Sequence, residues 1–316
     1  MPAAPRGKVR PQSQTGIALI TALLVVSLTT TAAAALLSQQ QIDFARTENL
    51  LNSEQAYQYG LGVEIWAAGL LAADRKTSDT DHLHEPWASK LEPVTIDGGE
   101  VSGYTVDMQG RLNLNNIAQA GENGVIAKER FERLLGVIGA PLAIADALAD
   151  WLDADSEMRN PNGAEDEAYL GEQPPYRAAN GMLVSVTELR LVKGVTNELY
   201  QAVAPYVTAL PVAASVNVNT APIPVLMSII PGLSEGEAKS LVGARGKTGF
   251  ASVEEFLAEV SFLGRTGNAL GLAVTSDYFQ TRADVSLPRA HVHLTSLLQR
   301  SASGFPKVIL RSEAGE

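Results

Sequence analysis

The chain has 316 residues, 35 acidic side chains against 24 basic ones, a formal net charge of −11 and no cysteine. That length allows one large or two ordinary domains. Such acidity repels a phosphate backbone over most of the surface, and a chain without thiols has only its core and bound metal to hold it together.

In chain order the first element is an apolar run, Ile17 to Leu37, and no charge stands between Arg10 and Asp43. Roughly 20 apolar residues at about 1.5 Å each span a hydrocarbon core of about 30 Å. Arg6, Lys8 and Arg10 precede the run and the first acid follows it. By the positive-inside rule the N-terminus stays cytoplasmic and everything after Leu37 lies across the membrane. Three kinds of segment fit: a signal peptide cut near Ala32 to Ala35, an uncleaved anchor, or a leader cut off a retained helix.

Helix propensity favours retention. From Ile17 to about Ala73 only Gly60, Gly62 and Gly69 interrupt good helix formers, which predicts one helix on the order of 80 Å long. Its later half, Gln39 to Ala73, carries Ile42, Ala45, Asn49, Ala56, Tyr57 and Val63 near helical spacing, as a stem entering a globular domain would. A basic leader ending in Gly16 directly before such a helix resembles the leader of type IV pilins and type II secretion pseudopilins. The resemblance implies a prepilin peptidase cutting between Gly16 and Ile17, and loss of the three basic leader residues takes the net charge from −11 to −14.

A polar connector, Thr77 to Pro93, follows with Asp79, Asp81, His82, His84 and Glu85, a weak metal candidate. Thr95 to Asp97, a Gly98-Gly99 turn and Val101 to Asp107 predict a β-hairpin, and Gln109 to Asn115 a turn and short strand. From Asn123 to about Ala273 the pattern is almost wholly helical. Strands return over Tyr278 to Leu287, Ala290 to Leu297 and Pro306 to Arg311. His291 and His293 share a strand face with no third ligand evident, and read as surface residues. Strands, a helical block, then strands again predict an α+β fold interrupted by an all-α insertion. The expected divisions are a leader over 1–16, a membrane helix over 17–37 and a stem over 38–76. A discontinuous sheet domain over 77–119 and 274–316 then carries the insertion over 120–273.

The insertion contains a repeat. Val184 to Thr196 and Ile229 to Ala238 both read as helix, glycine turn and capped helix, with Gly194 matching Gly232 and Thr196 and Ser234 as N-caps. The second copy resembles a helix-hairpin-helix unit, which implies DNA binding through backbone N–H groups at the turn. Glu235 and Glu237 beside that turn disfavour phosphate, so a helical scaffold for protein contacts is the preferred reading.

Residues 150–172 carry eight acids, Asp150, Asp153, Asp155, Glu157, Glu165, Asp166, Glu167 and Glu172, against the single base Arg159. Carboxylates at this density repel one another unless solvent or a cation intervenes. Alternating Asp153, Asp155 and Glu157 offer the hard oxygens that Ca²⁺ takes, though not at EF-hand spacing. A solvated loop is the competing reading; zinc is disfavoured without thiolate or histidine. The sequence contains no nucleophile elbow, phosphate loop or dinucleotide turn, so catalysis has no support.

In order along the chain, the Gly16-Ile17 junction, Gln109 to Asn115, Asp150 to Asp155, Gly163 to Asp166, Pro175 to Asn180, Glu188 to Leu191 and Val216 to Ala221 resemble the general secretion pathway protein K family of type II secretion. The resemblance implies a minor pseudopilin at the tip of a periplasmic fibre. It would have a pilin stem and sheet, other minor pseudopilins and the inner-membrane secretion platform as partners, and no nucleic acid. A membrane-anchored DNA receptor is the alternative. The family resemblance also implies Ca²⁺ in the insertion, on Asp153, Asp155, Glu157, Glu165 and Asp166, and explains Thr21. Ordinary pilins have glutamate five residues into the mature chain, and a tip subunit does without it.

Overall fold

A computed structural model describes residues 15–301 and 304–313. Most of the expected leader lies outside them. Helix α1 (Thr15–Asp74) runs 60 residues unbroken, about 90 Å at 1.5 Å per residue. Its most apolar 18-residue window has a mean hydropathy of 2.1 and is wholly unburied, so the helix is long and apolar enough to cross a membrane. The Thr21 hydroxyl donates back to the carbonyls of Ile17 and Ala18, both at 3.0 Å, and Thr29, Thr30 and Thr31 do likewise. These hydroxyls are thereby satisfied within the helix.

Strands β1 (Leu91–Ile96) and β2 (Gly99–Asp107) form the predicted hairpin, with Gly98 at φ +78° in its turn. Strand β1 starts four residues earlier than its pattern suggested, with a bulge between Leu91 and Val94. The chain continues through β3 (Leu112–Asn113), α2 (Glu122–Val137), α3 (Ile144–Leu152), α4 (Asp166–Leu170), α5 (Asn197–Val203), β4 (Val207–Thr208) and β5 (Val216–Asn217). It then passes through α6 (Ile223–Ile229), α7 (Glu235–Ala244), α8 (Val253–Phe262) and β6 (Leu272–Ala273), and returns as β7 (Tyr278–Leu287), β8 (Ala290–Gln299) and β9 (Lys307–Ser312). The five long strands make one antiparallel sheet ordered β1-β2-β7-β8-β9, so residues far apart in sequence meet across β2 and β7.

The second half of α1 lies on this sheet. Ala56 and Val63 pack with Val101, Ala283, Val285 and Leu294, while Ala68 and Leu71 pack with Trp87, Phe279 and Leu298. A ten-residue strand is about 33 Å long, which covers about 22 helical residues. Burial of α1 begins at Ala56, close to that limit counted back from Asp74. Ile42 and Asn49, assigned to the same apolar face from their spacing, lie beyond the sheet and are exposed. Glu64 is buried at the contact, where Arg311 donates to it at 2.7 and 2.8 Å and Ser296 at 2.5 Å.

A separate core extends from Leu112 to Leu272 and includes Phe131, Leu148, Trp151, Tyr169, Leu226 and Phe256. Leu112, Leu114 and Ile117 belong to it, although residues 77–119 were assigned to the sheet side. Nor is the block purely helical: β3 pairs with β4, β5 pairs with β6, both parallel, and the stretch after Leu152 is largely irregular. Buried amides replace secondary structure there. Asn115 donates to Leu183 and Leu210 carbonyls and accepts from Leu183 N–H, and Asn219 exchanges both bonds with Phe250. These asparagines sit in the two Asn-rich motifs of the sequence.

Candidate metal centre and stem surface

The acidic loop begins where α3 ends. Asp150, on the last turn of α3, is fully buried and accepts from the Arg159 and Ala164 backbone N–H groups at 3.1 and 2.9 Å. Those bonds fold the loop back over the helix end. A side chain at Gly163 would enter this space, since its Cβ would fall 2.6 Å from the Arg159 carbonyl.

The closure brings Asp153, Asp155 and Glu165 together, one oxygen from each lying within 4.8 Å of the others. Glu165 is 7% exposed and neither of its carboxylate oxygens has a hydrogen-bond partner; Asp153 Oδ1 is likewise buried without one. Burial, followed by the charges of Asp150, Asp153, Asp155 and Asp166, pushes Glu165 up to about 7. Arg159 is the counter-charge, its Nη2 donating to Asp153 Oδ2 at 2.8 Å and its Nε lying 3.2 Å from Asp150 Oδ1. Three carboxylates, of which Asp153 and Glu165 carry orphaned buried oxygens, fit a hard cation such as Ca²⁺, and the all-oxygen set fits zinc poorly.

Two of the five expected ligands stand apart from this group. Glu157 is exposed, with its backbone N–H donating to Asp155 Oδ1 at 2.8 Å. Asp166 begins α4, where it accepts from Ala178 N–H and faces Arg177 at 3.5 Å. Spacing missed Asn180. It adopts the left-handed φ of 46°, its Nδ2 donates to the Asp155 carbonyl at 3.2 Å, and its own Oδ1 is buried and unpartnered. The available signal was the Pro175 to Asn180 motif.

The connector acids serve another purpose. Asp74, Asp81 and Glu85 converge, all buried, on Arg300, which donates to Asp74 at 3.0 Å and to both oxygens of Asp81. Ser276 N–H donates to Asp81, and Trp87 Nε1 to Glu85 at 2.6 Å. His82 approaches Glu85 at 3.5 Å, and its Nδ1 accepts from His84 N–H. Asn217 joins this network to the insertion, donating to the Asp81 carbonyl, Asp107 Oδ2 and Ser276 Oγ. On the sheet the His291 and His293 rings meet edge to face, centroids 4.5 Å apart, both exposed, and His293 contacts Asp284.

The repeated turns share a geometry in part. Gly194 and Gly232 both take positive φ, and Thr196 and Ser234 cap α5 and α7. Before Gly194, however, the chain forms a 3-10 turn, Val186–Leu191, where a full helix was expected. Glu235 pairs with Lys239 and Glu237 with Arg265, which neutralises two of the nearby cations.

Sequence profiles described as "Type II secretion system (T2SS), protein K" match residues 110–212 and 216–275. The type II secretion system protein K of Pseudomonas aeruginosa is 39% identical over 95% of this chain and 93% of its own. The chain belongs to the type II secretion system protein K family. The Klebsiella pneumoniae protein K is 36% identical over 92% of this chain and 94% of its own. The structure of the GspK-GspI-GspJ complex from the enterotoxigenic Escherichia coli type 2 secretion system contains a similar chain. Its TM-score is 0.75 at 26% identity, covering 86% of this chain and all of that one. The long apolar helix of this protein K member accords with a membrane anchor in a secretion component.

Proposed function

We propose that this protein K member is a structural minor pseudopilin, not an enzyme, that occupies the tip of the secretion fibre. It would be anchored in the inner membrane, with its N-terminus cytoplasmic and its folded part periplasmic. The observation that carries the reading is α1. One helix holds an uncovered apolar surface through Phe44, Leu50 and Leu51, then packs on a sheet without a hinge. Such a stem is built to pack beside other stems, in the manner of a pilin. The similar chain in the GspK-GspI-GspJ structure supports other minor pseudopilins as partners. In this reading prepilin peptidase cleaves between Gly16 and Ile17, Thr21 replaces the usual glutamate, and the secretion platform receives the stem. Asp153, Asp155 and Glu165, with Asn180 close by, hold Ca²⁺, which supplies charge neutralisation and closes the loop.

Epitope labelling of fibres tests the placement. Label at one end is expected, and label along the length overturns it. N-terminal sequencing tests processing: a start at Ile17 is expected, and a start near Ala35 means an ordinary signal peptide. DNA binding through the helix-hairpin-helix-like turn is the lesser reading, because Glu235 and Glu237 neutralise Lys239 and Arg265. Tight, salt-sensitive gel shifts would revive it.

A further inference from the structure

A cavity of about 220 Å³ lies between the start of α2 and the segments 213–215 and 270–271. Arg130 lines it, 5% exposed. Its Nη groups donate to the carbonyls of Asn268, Leu270 and Gly271 at 2.7 to 3.4 Å, but its buried Nε has no partner. Among the described residues no carboxylate forms an ion pair with it. Its neighbours differ: Arg133 has Glu129 at 3.5 Å, and Arg265 has Glu237 at 3.1 Å. Burial, with Arg133 close by, lowers Arg130 to about 10. The cavity also takes in Asn123, in the first turn of α2, a 16-residue helix that no N-cap side chain closes. The uncapped first turn and the positive end of the helix dipole add to the positive potential at that end of α2.

We propose that this cavity is a receptor for one carboxylate, presented by a chain terminus or an acidic side chain of a protein that meets the insertion. A buried cation bonded only to carbonyl oxygens, with Glu129 acting on it from beyond ion-pair distance, is incompletely compensated, and a carboxylate in direct contact supplies the missing counter-charge. One guanidinium without an acidic ion-pair partner suits a monoanionic carboxylate better than a phosphate dianion. Gln119 and Asn123, two amide side chains on the same wall, can bond the second oxygen.

Calorimetry on the full chain in detergent, with three tetrapeptides, tests this. One ends in a free carboxylate, one is amidated with an internal aspartate, and one is amidated and neutral. Binding of either acidic peptide, with the neutral one inert, is expected, and which binds identifies the source of the carboxylate. Arg130→Gln should weaken it at least about tenfold, the scale of one charged hydrogen bond. Ala213→Trp, at an exposed position on the cavity wall, should do the same without touching the arginine. Failure of both acidic peptides to bind, equal binding of the neutral one, or full affinity in Ala213→Trp overturns the proposal.

Discussion

Glu165 shows how a single residue carries the metal reading. Because burial raises its pKa to about 7, its neutral form stabilises the fold. That contribution is complete below the unfolded value near 4.5 and is lost as pH rises through about 7. Metal-free protein should therefore lose stability as pH rises from about 4.5 to about 7, and Ca²⁺ should restore it most at the upper end. Glu165→Gln should make the metal-free decline shallower, leaving the part due to Asp74 and Asp107, and abolish the Ca²⁺ response. Thermal melts across that range decide it, and a Ca²⁺ response retained in the variant would move the site elsewhere. Thr21 makes the matching case in the stem. With its hydroxyl bonded to Ile17 and Ala18, Thr21→Val should leave secretion nearly intact. Thr21→Glu should impair it, since an unpaired charge within the bilayer is costly, up to about 2.5 to 3.5 kcal/mol at a helix centre on insertion scales. Secretion from a strain lacking the native protein is the measurement.

At the scale of elements the contact between α1 and the sheet is the sensitive one. A Cβ on Gly103 would lie 2.7 Å from Val63 Cγ1 and 2.6 Å from the Arg282 carbonyl. Gly103→Ala should cost about 1 to 3 kcal/mol by overpacking, lowering the melting temperature by roughly 2 to 8 °C. Gly62→Ala, on the open side of the same helix with nothing within 4 Å, should raise it slightly. Strands β7 and β8 were legible because their alternation is local, and the long helix because it lacks breakers. Which part of α1 is covered was not legible, because strands more than 200 residues downstream decide it. For the same reason Leu112 and Leu114 were assigned to the wrong core. In the acidic loop the residue types pointed to a cation, but which carboxylates converge depends on Asp150 capturing Ala164 N–H, a bond that spacing does not reveal.

For the whole molecule, the pH dependence and the junction are linked. Asp74 is raised to about 6 by burial, then by Glu85 and Asp81, and Asp107 to about 6 by burial against the Thr220 and Ser276 hydroxyls. Both lose stabilising protons as pH rises through 6. Burial opposes ionisation of Glu64 and Asp146, but Arg311 and Lys128 outweigh it and lower both. Their contributions disappear only as pH falls below the ordinary carboxylate range, so stability should peak near pH 4 to 5, with or without Ca²⁺. Chelation at neutral pH should lower the melting temperature: a cation at 100 times its Kd contributes about 2.7 kcal/mol. An unchanged melt in excess chelator, for protein shown to be metal-free, leaves a solvated loop.

The buried junction has a mechanical consequence. Asp74 ends α1, Arg300 follows β8, Asp81 lies in the connector, and Asn217 belongs to the insertion, yet one network of ion pairs and amide bonds joins all four. The helix is thus a shaft keyed into its head, not a tether. Rotation or thrust applied to the stem would therefore be passed through these bonds to the head, insertion included.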